Sequence, residues 1–551
     1  MAYSMSSPRA EAALGATSGA DRRDRFAGMK TFLAAALLAA SFANLSWADA
    51  PASRAALHIV LVLDGLRPDG INPRDTPNLY RLRSEGVAFA NSHSVFPTVT
   101  RVNGTAIGSG SYPERNGIMG NRIYIPEVDP KAAFVNDDAA KLLMLGDHIV
   151  TATGLAEILQ EHGERFVEVS SGSAGGALLV APRSPEGMGL ALSAGFHGLD
   201  QSGKLKPAID EVIKRFGPAP HKGGAMDDHM APVSWAMNVL DEYVLAELKP
   251  RVVVSWMTEP DHSQHGHGPG SPQAVEAIRN DDAEIGKMLA KLASLGLAGR
   301  TDIIVVSDHG FSTTDYDVNV AGELRRAGFP TLEDGGDIVL ASSGQEMNVH
   351  VKDHDPKRIA AIVELLERQP WCGVIFTAHG SGAAYEGSVP GTFALEYVHL
   401  GGHPRSPDIA FTFPWSSSAN RFGVRGMDSN IVGKGATTAV TVDTANHGGL
   451  GPFTVTNTML AWGPDFKRGI VDRTPAANVD VAPTILYLLG LGDAAAGMQG
   501  RALVEAMIGG PDEEQVPVDT RALRVSNGAY RAVLQASEVD GRRYIDKAWR
   551  Q

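Results

Sequence analysis

The 551-residue chain has a single cysteine, Cys372, which excludes an internal disulfide framework and any CxxC zinc site. A metal site here has to be built from Asp and His. Basic residues are also in deficit, with 49 Lys and Arg against 63 Asp and Glu, a formal charge of −14. That balance disfavours nonspecific nucleic-acid binding and attraction to anionic membranes, and no nucleic-acid-binding surface is evident. An anionic substrate would then need a local positive centre, which bound cations supply. Beyond the amino-terminal region there is no run of about 18 uninterrupted apolar residues, so no membrane span is expected in the mature chain. Repeats and low-complexity tracts are absent too. What is present, 43% hydrophobic residues in a long chain, supports a sizeable core.

The first 50 residues read as an extension plus signal peptide. Arg22, Arg23, Arg25 and Lys30 precede an apolar stretch from Phe32 to Leu45, and Ala48-Asp49-Ala50 is a small-x-small cleavage site. Met29 is the expected start. The product is expected to be exported, periplasmic or secreted. Oligomeric state is not legible.

From residue 57 short apolar runs alternate with amphipathic helices. Leu57–Leu63 and Val252–Trp256 read as strands buried on both faces. Thr76-Pro77 opens a helix that Gly86 stops, and Ser271-Pro272 opens a long one with apolar positions at helical spacing. Ile303–Val306 and Met459–Trp462 are further strands, and Val479–Leu489 a helix closed by Gly490. Strand–helix–strand order predicts an α/β fold with a mostly parallel sheet flanked by helices. The catalytic domain is expected over 51–510, with cap-like insertions around 122–250 and 311–440. Residues 511–551 read as a linker and a hairpin about Asp540-Gly541.

Ligands of open parallel sheets bind at the carboxyl ends of strands. Three predicted strands lead into such signals: Leu63-Asp64-Gly65, Asp261-His262-Ser263-Gln264-His265, and Ser307-Asp308-His309-Gly310. His447 lies in a Gly-rich loop, Asn446-His447-Gly448-Gly449. Singly, each motif is as readily structural, since a strand-end Asp often caps the next helix. Together they offer six carboxylate and imidazole ligands, a set suited to two divalent ions. A second constellation is Phe96-Pro97-Thr98-Val99-Thr100-Arg101. A helix is expected to open just after Thr100, setting free N–H groups and positive dipole beside its hydroxyl. Asn121 could donate to a phosphoryl oxygen or close a turn.

The combination resembles the alkaline phosphatase superfamily, and within it the type I phosphodiesterase/nucleotide pyrophosphatase branch. The matching motifs run from Asp64-Gly65 through Pro97–Thr100, Tyr112–Ile118, Glu259–His265 and Val306–Gly310 to Asn446–Gly448. The resemblance implies an alkaline-phosphatase-like sheet with inserted cap segments and two metal ions, Zn2+ by preference. One would be held by Asp261, His265 and His447, the other by Asp64, Asp308 and His309 with the Thr100 hydroxyl. Family spacing selects His265 over His262 and His267. Thr100 would attack phosphorus, giving a phospho-threonine later hydrolysed by water, with the Asn121 amide on a nonbridging oxygen.

This sequence departs from the family pattern in two places. Arg101 follows the nucleophile position, where nucleotide-cleaving members commonly carry an aromatic residue. Its guanidinium could bind a phosphate or carboxylate of the substrate, or simply anchor the helix. The Lys-x-Arg pair of monoesterase members has no counterpart in Val169–Ala174. The first departure weakens the case for a nucleotide specifically and the second favours diesters over monoesters, so the expected substrate is a small phosphodiester or pyrophosphate. The alternatives are a phosphomonoesterase or phosphonate hydrolase on the same scaffold, and a metal-stabilised binding protein without turnover. A phosphoglycerate mutase-like isomerase is disfavoured by the threonine and the export signal.

Overall fold

The structure is a computed structural model and describes residues 53–196, 203–220, 230–432, 439–440 and 444–551. The signal-peptide reading of residues 1–50 lies outside the described residues. Leu57–Leu63 forms β1, every residue of which is buried. A helix follows, α1 (Pro77–Glu85), then β2 (Val87–Phe89) and α2 (Thr100–Ser109). Next come β3 (Phe166–Ser170), α3 (Ala174–Val180) and β4 (Leu190–Ser193). β5 (Val252–Met257) leads into α4 (Asp261–His267) and α5 (Pro272–Ser294), and β6 (Thr301–Val306) closes that unit. Far along the chain, β7 (Met459–Trp462), β8 (Ile470–Asp472) and α6 (Val481–Leu488) return to the same sheet.

The eight strands are ordered β8-β2-β7-β6-β1-β5-β3-β4. β1 pairs parallel with both β5 and β6, and β3 pairs parallel with β5 and β4. Only β7 runs against the rest, antiparallel to β6 and β2. With β1 at the centre, alternate residues Leu57, Ile59, Leu61 and Leu63 pack with Leu79 and Leu82 of α1 and Ile285 and Met288 of α5. His58, Val60 and Val62 on the opposite face are buried as well, so both faces are covered and the strand reads as a nearly continuous apolar run.

Two expectations about the rest of the chain are corrected. The stretch around 122–250 is more than an insertion or cap, because it supplies β3 and β4 to the central sheet. Two five-stranded sheets lie over Ser312–Asn446. Second, the residues read as a linker contain β9 (Asp519–Asn527), which pairs with the expected hairpin of β10 (Tyr530–Val539) and β11 (Arg542–Arg550). This three-stranded sheet shares a hydrophobic core with Phe376, Phe411 and Val479, so it belongs to the body of the protein.

Candidate metal centre and substrate cavity

Each acidic signal lies at the carboxyl end of a sheet strand. Asp64 follows β1, Asp308 and His309 follow β6, and α4 begins with Asp261 just after β5. Asp261 and His265 are four residues apart on α4, which puts both side chains on one face. His447 is brought in by a loop that bridges Thr98 to Gly448. Gly448 has φ +117°, and a Cβ there would meet the Ser343 carbonyl at 2.3 Å, so no side chain fits this approach.

The six residues meet as two triplets, Asp64–Asp308–His309 and Asp261–His265–His447, the ligand atoms of each lying within 4.8 Å of one another. Hydrogen bonds aim them. The Nδ1 atoms of His309, His265 and His447 lie 2.9, 2.9 and 3.1 Å from the carbonyls of Gly310, Ala445 and Thr98. Donation from Nδ1 leaves each Nε2 lone pair directed at the site. One oxygen of Asp64 accepts from the Trp256 indole at 3.0 Å, and one of Asp308 from the Gly65 N–H at 3.0 Å. The opposite oxygens, Asp64 Oδ1 and Asp308 Oδ2, are buried without a hydrogen-bond partner, as is Asp261 Oδ1.

These orphaned oxygens face the imidazole nitrogens. His309 Nε2 is 3.1 Å from Asp308 and 3.4 Å from Asp64, and His265 Nε2 is 3.3 Å from Asp261. With Nδ1 as the donor, lone pair confronts lone pair across each contact, and a cation placed between them relieves the clash. The donor set fits two divalent metal ions of the zinc type. Electrostatics agree. Burial pushes the Asp64 carboxyl well above its usual range, and the charges of Asp308 and Asp261 add to the effect. Burial, with the His309 charge behind it, holds His447 well below the usual histidine range, and the two rings stack at 3.5 Å. A neutral His447 keeps its lone pair for a metal.

Thr100 is the first residue of α2, so the helix opens at the threonine and not after it. Its Oγ1 lies 3.2 Å from His309 Nε2, beside the Asp64–Asp308–His309 triplet. One N–H of the first turn is spent: that of Arg101 donates to Asn121 Oδ1 at 2.9 Å. With its oxygen engaged, Asn121 has its amide nitrogen left for a ligand. Both residues line a cavity of about 650 Å3 that also takes in Thr100, Asp64, Asp261 and His447. Arg101 reaches this cavity, but its guanidinium donates to Asp137, which also accepts from Ser173 Oγ at 2.7 Å. His262 lines the cavity outside both triplets, with Nδ1 2.9 Å from the Thr258 carbonyl; His267 joins neither.

Sequence reasoning missed Trp256, Asp137 and Glu168. Trp256 lies in an apolar run and gives no signal of its own. Glu168 does: it is a lone carboxylate among the apolar residues of β3, and it is buried in the cavity wall.

A mostly parallel sheet carrying two carboxylate–imidazole triplets at its strand ends, with a threonine beside one of them, defines an alkaline-phosphatase-like protein. The chain belongs to the type I phosphodiesterase/nucleotide pyrophosphatase family of that superfamily, which matches residues 58–420. It is 24% identical over 259 residues to the human ectonucleotide pyrophosphatase/phosphodiesterase family member 1, covering 46% of this chain and 23% of that protein. A venom phosphodiesterase of Crotalus durissus collilineatus is 22% identical over 47% of this chain and 26% of its own. A bis(5'-adenosyl)-triphosphatase of Xenopus laevis is 24% identical over 47% of this chain and 48% of its own. The matches thus span between 23% and 48% of these relatives' lengths.

Proposed function

We propose that the chain is an exported two-metal hydrolase of small phosphodiesters or pyrophosphates, working through a phospho-threonine intermediate. The observation that carries this reading is the Thr100 hydroxyl at a helix N-terminus, 3.2 Å from His309 and open to the cavity beside both triplets. Asp261, His265 and His447 would hold one ion, and Asp64, Asp308, His309 and Thr100 the other. Zinc is the preferred identity for both. Bound there, the two cations would supply the positive charge that favours a threonine alkoxide and offsets charge on the phosphoryl oxygens.

The chain's own residues do the rest. Thr100 Oγ1 bonds to phosphorus as the bond to the leaving oxygen breaks. Water then takes the phosphoryl group and the threonine hydroxyl is restored. Asn121, its oxygen held by the Arg101 N–H, presents its amide nitrogen to a nonbridging oxygen. Diesters are favoured over monoesters because Ser170–Ser173 line the cavity without a basic side chain and Arg101 is already paired with Asp137. Export is supported by the amino-terminal pattern and by relatives named as ectoenzymes or venom enzymes.

The test is to strip metals from the chain beginning at residue 51, restore zinc, and follow an aryl phosphodiester, the matching monoester and a Thr100→Ala variant. Activity should return with zinc, prefer the diester and fall by at least about a thousandfold in the variant. A variant that turns over like wild type removes the nucleophile, and a strong monoester preference removes the diester assignment. If no ester is cleaved with metals bound, the binding-protein reading takes over.

A further inference from the structure

The cavity wall built by β3 and the turn after it is polar, and each of its serine hydroxyls holds at least one internal hydrogen bond. Ser170 Oγ accepts from the Gly172 N–H at 2.9 Å, and Ser171 Oγ from the Thr258 N–H at 2.9 Å. Ser173 Oγ donates to Asp137 and accepts from the Gly176 N–H at 3.1 Å. The Arg101 guanidinium is taken by Asp137. Glu168 is the exception. It lines the same cavity with 0% of its surface exposed, and neither carboxylate oxygen makes a hydrogen bond of normal geometry. Burial pushes its carboxyl well above the usual range, against a weaker pull from the Leu192 backbone N–H. Among the described residues no charged side chain perturbs it.

A buried carboxylate with two unused acceptors is costly unless a partner brings donors, and a cationic donor offsets most. Arg101 is the only Lys or Arg among the described lining residues, so no resident cation competes for the position. A second anionic group on a substrate would find Arg101 neutralised by Asp137 and Glu168 opposing it.

We infer that Glu168 forms an ammonium subsite in this cavity, receiving a protonated primary amine on the alcohol substituent of the phosphodiester. The inference rests on the proposed hydrolase reading and deepens it: the substrate class is an amine-bearing phosphodiester. Glu168 selects the substituent and takes no part in bond breaking.

The test uses the metal-loaded chain and three 4-nitrophenyl diesters of nearly equal size, with 3-aminopropyl, 3-hydroxypropyl or butyl as the second substituent. Wild type should prefer aminopropyl to butyl by about tenfold in kcat/KM, with hydroxypropyl between them. In Glu168→Gln the aminopropyl-to-butyl ratio should fall to about one. A merely structural role would slow all three esters alike and leave the ratio unchanged, which overturns the proposal. So does butyl matching aminopropyl in wild type, and hydroxypropyl leading overturns the cationic assignment. Calorimetric binding of 3-aminopropyl phosphate against butyl phosphate to the metal-loaded Thr100→Ala variant reads the subsite without turnover. If no diester is cleaved, the hydrolase reading fails while that binding ratio still decides the subsite.

Discussion

Asp64 has one oxygen held by the Trp256 indole at 3.0 Å and the other buried without a partner. The indole therefore restricts the carboxylate to one free oxygen and sets its direction, the part that outer-shell groups play at metal sites. Trp256→Phe keeps the ring volume close to native and removes only the donor. It should weaken zinc binding by about 10–100-fold, read by competition with a chromophoric chelator. Unchanged affinity would reduce Trp256 to a wall of the cavity. At this scale the six triplet residues were legible because an acid at the end of an apolar run is conspicuous. Trp256 was not, since an aromatic in a buried strand has the same pattern whether or not its N–H does anything.

At the scale of elements, α2 sets where Thr100 sits. A Cβ on Gly108 would meet the Val180 carbonyl at 2.5 Å, and one on Gly104 would meet Trp256 at 3.2 Å. The helix is thus drawn tight against α3 and β5, which holds its first residue beside His309. The strand Glu346–Val351 carries a different property. Burial, aided by the charge of His354, lowers the His350 pKa to about 4. The unfolded chain protonates this histidine near pH 6.5. Between those values the unfolded state holds the extra proton, so the stabilisation is complete above about pH 6.5 and is lost as pH falls towards 4. Across that window His350 accounts for roughly 3 kcal/mol of stability. His350→Gln should flatten the fall in Tm between pH 7 and 4.5, and an equally steep fall in the variant would place the acid sensitivity elsewhere.

On the scale of the whole molecule, the carboxyl-terminal sheet is tied to the body at several points. His93 Nε2 is 3.0 Å from Asp546, Tyr544 donates to Asp480 at 3.1 Å, and the Trp415 indole donates to the Ala548 carbonyl at 2.7 Å. Tyr530, Val533, Leu534, Tyr544 and Ile545 are all buried. Each such side chain contributes roughly 1.5–3 kcal/mol, so together they rival the ~5–15 kcal/mol that holds a typical domain folded. A chain ending at Gly510 should lose its cooperative melting transition or drop out of solution. If calorimetry shows it melting like the full chain, the sheet is an appendage.

By itself the sequence determined the parallel core and the chemistry of its edge. β1, β5 and β6 are buried on both faces, so their apolar character is continuous and visible locally, and Asp64, Asp261, Asp308 and His309 follow those runs directly. Periodicity also marked α5, and Asp540-Gly541 the hairpin turn. Tertiary structure alone decided the rest. β9 is almost wholly exposed and polar, so its strand character comes from pairing with β10 and not from its own pattern. β3 and β4 became part of the central sheet because β3 lies beside β5, a long-range pairing that no local signal encodes. Arg101 met Asp137, and Glu168 was buried without a partner, for the same reason: which charges face one another depends on how distant strands and helices pack. Local sequence carries burial and turn chemistry, whereas the pairing of side chains across a cavity exists only once the chain has closed around it.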